Sequence, residues 1–149
     1  MFCVEWDDSL SVGVAQIDDQ HKHLVDLLNK TYNACIRTDM EDELKYILNE
    51  LVDYSRNHLA SEEHVMERYD YPEVGLQKIE HGMFSEKIMH IHQELYETER
   101  NPAITLIEVA RLLGNWLTNH IMKIDRRFGK YVAAVEHPHT EAHPCTLSS

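Results

Sequence analysis

The 149-residue chain carries 14 basic and 26 acidic residues, a net charge of -12, with 43% hydrophobic content. That length and composition suit one domain with a proper core. The negative charge would repel phosphate backbones and anionic lipid, so neither nucleic acid nor a membrane surface is expected as a partner.

The N-terminus MFCVEWDD is acidic where a secretory signal needs a basic stretch followed by an apolar one. The most apolar segment, ITLIEVARLLGNWL, is broken by Glu108 and Arg111 well short of a membrane span. A soluble, cytoplasmic protein is expected. Cys3, Cys35 and Cys145 are scattered and odd in number, which fits neither a disulfide framework nor a CxxC motif, and they read as reduced and incidental.

In chain order, an irregular arm (1–17, with Gly13) leads to a first helix of about 18 to 37. Asp18 is its expected N-cap, and Leu24, Leu28, Tyr32 and Cys35 form its apolar face. Thr38 or Asp39 can cap a second helix, whose stripe of Leu44, Ile47, Leu48, Leu51 and Tyr54 continues to about Tyr69, where Tyr71-Pro72 ends it. Phe84, Ile88, Ile91 and Leu95 carry a third helix from about 73 to 99. Asn101-Pro102 opens a fourth through Ile107, Ala110, Leu113, Leu117 and Ile124. Helices of this length joined by short loops predict an all-α, antiparallel up-down-up-down four-helix bundle. The domain is expected over 1–136, followed by a flexible tail at 137–149 that contains histidine and proline.

Each apolar stripe, extended at its own spacing, runs into polar residues. The first reaches His21; the second, His58 and Glu62; the third, followed backwards, His81 and Gln77; the fourth, His120. In an antiparallel bundle these positions share one end of the core. Unpaired buried polar groups cost about 1–3 kcal/mol each, and no folding advantage explains gathering them in one slice. Metal binding does, because several imidazoles and one or two carboxylates make a first shell for iron, manganese or zinc. His58 and Glu62 are four apart and face one way. Asp125, five residues after His120, is awkward: on an ideal α-helix it lies roughly 140° around the axis. A ferritin-like site would need Glu-x-x-His on each of two helices, and that spacing occurs here at Glu136–His139, in the proline-interrupted tail.

Four stretches in this order, Trp6…Gly13…IDDQH, HLASEE, YPEVGLQKIEHGMF and HIMKID, resemble the bacterial hemerythrins across nearly the whole chain. The resemblance implies a non-haem centre of two iron ions, with an oxo or hydroxo bridge, that binds O2 reversibly for storage, delivery or sensing. Carried over by position, His21 and His58 would hold one iron, His81 and His120 the other, and Glu62 and Asp125 would bridge them. Leu59, Trp116, Leu117 and Ile121 match pocket positions that would keep the O2 site dry, and they serve equally as core packing.

Gln77 departs from the pattern, since it stands where the family usually has a third histidine on the iron of His81 and His120. Its amide oxygen could bind weakly, water could take the position, or the coordination number could fall. Two other functions remain open on sequence grounds. The opened position could support an enzyme that turns over peroxide or nitric oxide, or the site could be degenerate within an interaction module.

Overall fold

The computed structural model describes residues 4–36, 40–98 and 100–138, and it is all-helical in the expected architecture. Four long helices run up, down, up and down. The first, α1, spans Ala15–Ala34. The second, α2, is continuous through Met40–Asp53, Tyr54–His58 and Leu59–Arg68. The third, α3, spans Val74–Glu97. The fourth, α4, runs through Pro102–Asn115, Trp116–Asp125 and Arg126–Glu136. The first helix packs between α2 and α4, and α2 packs against α3.

Local chemistry explains the boundaries. Asn101 accepts from the backbone N–H groups of Ala103 (2.9 Å) and Ile104 (3.4 Å), and Pro102 follows at the first helical position. Asp18 is not the cap of α1, which begins three residues earlier behind an extended Val14. Its carboxylate instead accepts from Val12 N–H (2.8 Å) and the Ser11 hydroxyl, tying the arm to the first turn of the helix. Ile107 does not belong to the buried stripe of α4. It is half exposed, while Leu106, Val109 and Leu113 are buried. The proposed caps Thr38 and Asp39, Cys3, Cys145 and the tail from 139 onward lie outside the described residues.

Two segments depart from the α-helix. Tyr54–His58 in α2 and Trp116–Asp125 in α4 are π-helical. A π stretch inserted in an α-helix is uncommon and tends to mark a functional site. Its i→i+5 bonding widens the turn, so that residues five apart come much closer to sharing a face than on an α-helix.

The main core fills one end of the bundle through Leu24, Leu28, Leu44, Leu51, Ile88 and Leu113. A smaller cluster, Val12, Ile17, Met66, Tyr71, Phe128 and Val132 among others, closes the other end. There the arm crosses α4 at Gly129, where an added Cβ would lie 1.8 Å from the Val12 carbonyl oxygen. Glycine is therefore required at this crossing. Among the described residues, no helix is long and apolar enough to cross a membrane.

Candidate metal centre

Between the two clusters lies a slab of buried polar side chains. His21, Glu62, Gln77, His81, His120 and Asp125 are each at most 2% exposed. They come from all four helices: His21 from α1, Glu62 from α2, Gln77 and His81 from α3, His120 and Asp125 from α4. The π-helical stretch of α4 resolves the awkward spacing of Asp125, because i→i+5 geometry turns it onto the face of His120. Their Nε2 and Oδ1 atoms are 3.1 Å apart.

The two carboxylates divide their oxygens between two places. Glu62 sets Oε1 3.4 Å from His21 Nε2 and Oε2 3.5 Å from His81 Nε2. Asp125 sets Oδ2 3.0 Å from His21 Nε2 and Oδ1 3.1 Å from His120 Nε2. Donor atoms of His21, Glu62 and Asp125 thus cluster at one point, and those of His81, His120 and Asp125 at another. Each carboxylate reaches from one point toward the other, which is the arrangement that two bridged cations require.

Several of these atoms lack a hydrogen bond despite their proximity. His21 Nε2, His81 Nε2, His120 Nε2, both Glu62 oxygens and Asp125 Oδ2 are buried without an aligned partner. Their lone pairs converge on shared space. Orphaned buried nitrogen and carboxylate oxygen donors in this number fit a pair of transition-metal ions.

The electrostatics agree. Burial alone would lower the His21 imidazole, yet the Asp125 and Glu62 carboxylates outweigh it and push it up to about 10. His120 is raised in the same way, against burial, chiefly by Asp125. Burial likewise opposes ionisation of Asp125, but His120 and His21 hold its carboxyl well below the usual range. Glu62 is driven up by burial and by the Asp125 charge beside it. Two close carboxylates therefore compete for positive charge, which a cation would supply to both.

Behind two of the histidines stand carboxylates that the sequence reading passed over. Glu63 Oε2 lies 2.8 Å from His81 Nδ1, and Glu80 Oε2 lies 3.4 Å from His120 Nδ1. Such contacts fix the Nδ1–H tautomer and leave Nε2 free to bind metal. Each is the chain neighbour of a residue already singled out, Glu63 of Glu62 and Glu80 of His81, and that adjacency was the available signal.

Two expected ligands stand apart. His58 is half-buried and outside both clusters, its ring stacked on Tyr54 (5.5 Å, 23°) and His23 (6.1 Å, 24°) with Nδ1 unpartnered. Gln77 turns its amide toward Asp125: Nε2 donates to Oδ1 at 2.9 Å, and the carbonyl oxygen is buried without a partner. Leu59, Trp116, Leu117 and Ile121 are all buried beside the layer. Trp116 lies flat on the His120 ring at 3.8 Å and 8°. A cleft of about 210 Å³ between α3 and α4 reaches Trp116 and His120 from the surface, past Glu80 and Phe84.

A four-helix bundle with a histidine and carboxylate layer shared by all four helices defines a class of non-haem, metal-binding helical proteins. The family comparison makes that class specific. Residues 12–132 match the Hemerythrin HHE cation binding domain, and the chain belongs to that family, which is of the di-iron, O2-binding type. It is 30% identical to a bacteriohemerythrin of Stenotrophomonas maltophilia over 135 residues, covering 90% of this chain and 84% of the relative. It is 32% identical to a bacteriohemerythrin of Methylococcus capsulatus over 126 residues, covering 83% of this chain and 90% of the relative. Its backbone also superposes on the crystal structure of a hemerythrin leucine-to-tyrosine mutant with a TM-score of 0.75 at 27% identity, covering 90% of this chain and all of that one.

Proposed function

We propose that the chain is an O2-binding protein for storage, delivery or sensing, in which one of two irons has an altered shell. The observation that carries this reading is the split of Glu62 and Asp125 oxygens between the His21 side and the His81/His120 side. His21, joined by His58 after a modest ring movement, would hold one iron. His81 and His120 would hold the other, with Glu62 and Asp125 shared. The irons, when bound, supply reversible electron transfer to a small ligand. The protein's own part is to orient the imidazoles through Glu63 and Glu80, and to keep bulk water from the layer with Leu59, Trp116, Leu117 and Ile121.

Gln77 acts here as a hydrogen-bond donor that holds Asp125, not as a third nitrogen ligand. A primary amide nitrogen has no available lone pair, and this one is turned to the carboxylate. An iron held by His81 and His120 would therefore be one imidazole short. Restoring it by Gln77→His should raise iron affinity and lengthen the lifetime of the O2 adduct, read by chelator competition and by decay of the visible charge-transfer band. Wild-type protein should hold about two irons per chain. Zinc alone, no metal, or no effect of Gln77→His on iron retention would overturn the reading.

A second function, reduction of peroxide or nitric oxide at the opened position, is favoured by one feature, the surface cleft that reaches His120. Steady-state peroxide consumption faster in the wild type than in Gln77→His would support it, and equal rates would remove its motive.

A further inference from the structure

Tyr54 and Trp116 carry buried polar groups that complete no hydrogen bond among the described residues. Tyr54 is 1% exposed and Trp116 7% exposed, and neither the Tyr54 hydroxyl nor the Trp116 indole nitrogen completes a hydrogen bond. Orphaned donors of this kind are rare in folded proteins and call for an explanation. Phenylalanine at position 54 would fill the same space without desolvating a hydroxyl, so packing does not account for a tyrosine.

The positions of the two rings supply a reason. The Tyr54 ring is stacked on His58, and the Trp116 ring on His120, residues assigned above to different iron positions. Phe84 packs against both, with centroids 6.1 Å from Tyr54 and 4.2 Å from Trp116. The indole of Trp116 lies close enough to the Tyr54 hydroxyl to act on it. A phenol O–H can donate as well as accept. Tryptophan N–H can only donate. The surrounding wall of Leu59, Leu117 and Ile121 offers no polar atom of its own from a side chain.

We infer that Tyr54 O–H and Trp116 N–H form a donor pair for the outer atom of a small ligand held at the metal layer, and that they set which ligands bind well. The inference rests on the di-iron reading and adds a polar contact to a pocket whose predicted members are otherwise apolar. Ligands whose outer atom gathers negative charge gain two hydrogen bonds. A neutral ligand without an acceptor gains none. The Trp116 ring needs no rearrangement, since its stack on His120 already holds it in place.

Azide is a suitable probe, because its terminal nitrogen accepts hydrogen bonds and its binding to ferric iron is followed in the visible spectrum. Iron content, azide dissociation constant and the melting temperature of the metal-free form should be measured for wild type, Tyr54→Phe and Trp116→Phe. Tyr54→Phe should retain the wild-type iron content, and both variants should bind azide more weakly, by roughly two- to tenfold for each lost hydrogen bond. Metal-free Tyr54→Phe should melt no lower than wild type, because the hydroxyl it loses has no partner. Unchanged azide affinity with full iron content would overturn the donor pair while leaving the di-iron reading intact. A lower melting temperature of metal-free Tyr54→Phe would assign the hydroxyl a structural role and overturn it too. Wild-type protein without iron would overturn the underlying reading. If Trp116→Phe does not fold, Tyr54→Phe alone decides the matter.

Discussion

Leu44, Ile47, Ile88 and Leu106 at one end of the bundle are as deeply buried as His21, Glu62, Gln77 and Asp125 at the other. Helices α2, α3 and α4 supply both sets, and α1 adds His21 to the polar one. At the apolar end, burial itself is the stabilising interaction, worth about 1.5–3 kcal/mol for each large side chain removed from water. At the polar end, burial leaves imidazole nitrogens and carboxylate oxygens without aligned partners, and each such group costs about 1–3 kcal/mol. The backbone differs in parallel, with regular α-helix through the apolar end and π-helical turns where Tyr54, His58, His120 and Asp125 are presented. One end holds the fold, and the other is held by it for the sake of what it binds.

The sharpest way to break that comparison is to damage the stabilising end alone. Leu106→Ala should destabilise the protein by about 2–5 kcal/mol, through lost transfer energy and a residual cavity. Iron bound per folded chain should stay at the wild-type value. Thermal melting with metal analysis of the folded fraction checks both, and loss of iron in step with stability would show that the two ends are not separable.

The small cluster around Phe128 offers a milder test, since it supports the metal layer from the arm side. Gly129→Ala would place a methyl group against the Val12 carbonyl and force the arm off α4. A destabilisation of about 1–3 kcal/mol is expected from that overpacking, together with faster iron loss to a chelator as the cover over the layer loosens. If the melting temperature falls but chelator kinetics do not change, the arm braces the bundle without guarding the metal.

The apolar end was also the more legible in the sequence. Leu44, Ile47, Leu48 and Leu51 recur at helical spacing and are buried as that spacing predicts. Asn101-Pro102 marked the start of α4 correctly. Ile107 misled, because on a helix with apolar residues at 104, 106, 107, 109 and 110 composition alone does not say which edge faces inward. Asp18 misled for a different reason: its short carboxylate serves equally to cap a helix or to hold a preceding loop, and the arm decides between them.

At the polar end, His21, Glu62, Gln77, His81 and His120 were visible because they interrupt stripes. Asp125 was not placed by spacing, since a π turn rests on backbone hydrogen bonding that no side-chain periodicity records. Tyr54 passed as ordinary core because its ring does belong there; only its hydroxyl does not. Glu63 and Glu80 lie at the edges of their helices, where a carboxylate reads as a solvated surface residue until a histidine from another helix is seen against it.

Those two carboxylates give the smallest expected effects and a comparison within the layer itself. Glu63 approaches His81 Nδ1 at 2.8 Å, whereas Glu80 stands 3.4 Å from His120 Nδ1 and is the more exposed of the two. A shorter, better shielded contact holds its imidazole more firmly. Glu63→Ala should therefore weaken iron binding by roughly 10–100-fold, the usual cost of losing a partner behind a metal-bound histidine. Glu80→Ala should lie at or below the lower bound of that range, because His120 keeps a second restraint in the indole of Trp116 stacked on its ring. Competition with a chelator at fixed pH measures both. Equal losses would mean that the Glu80 contact tightens when metal binds, and that the stack on Trp116 contributes little to orienting His120. A larger loss for Glu80→Ala would reverse the order of support and place the more demanding iron at His120, beside the cleft through which a small ligand arrives.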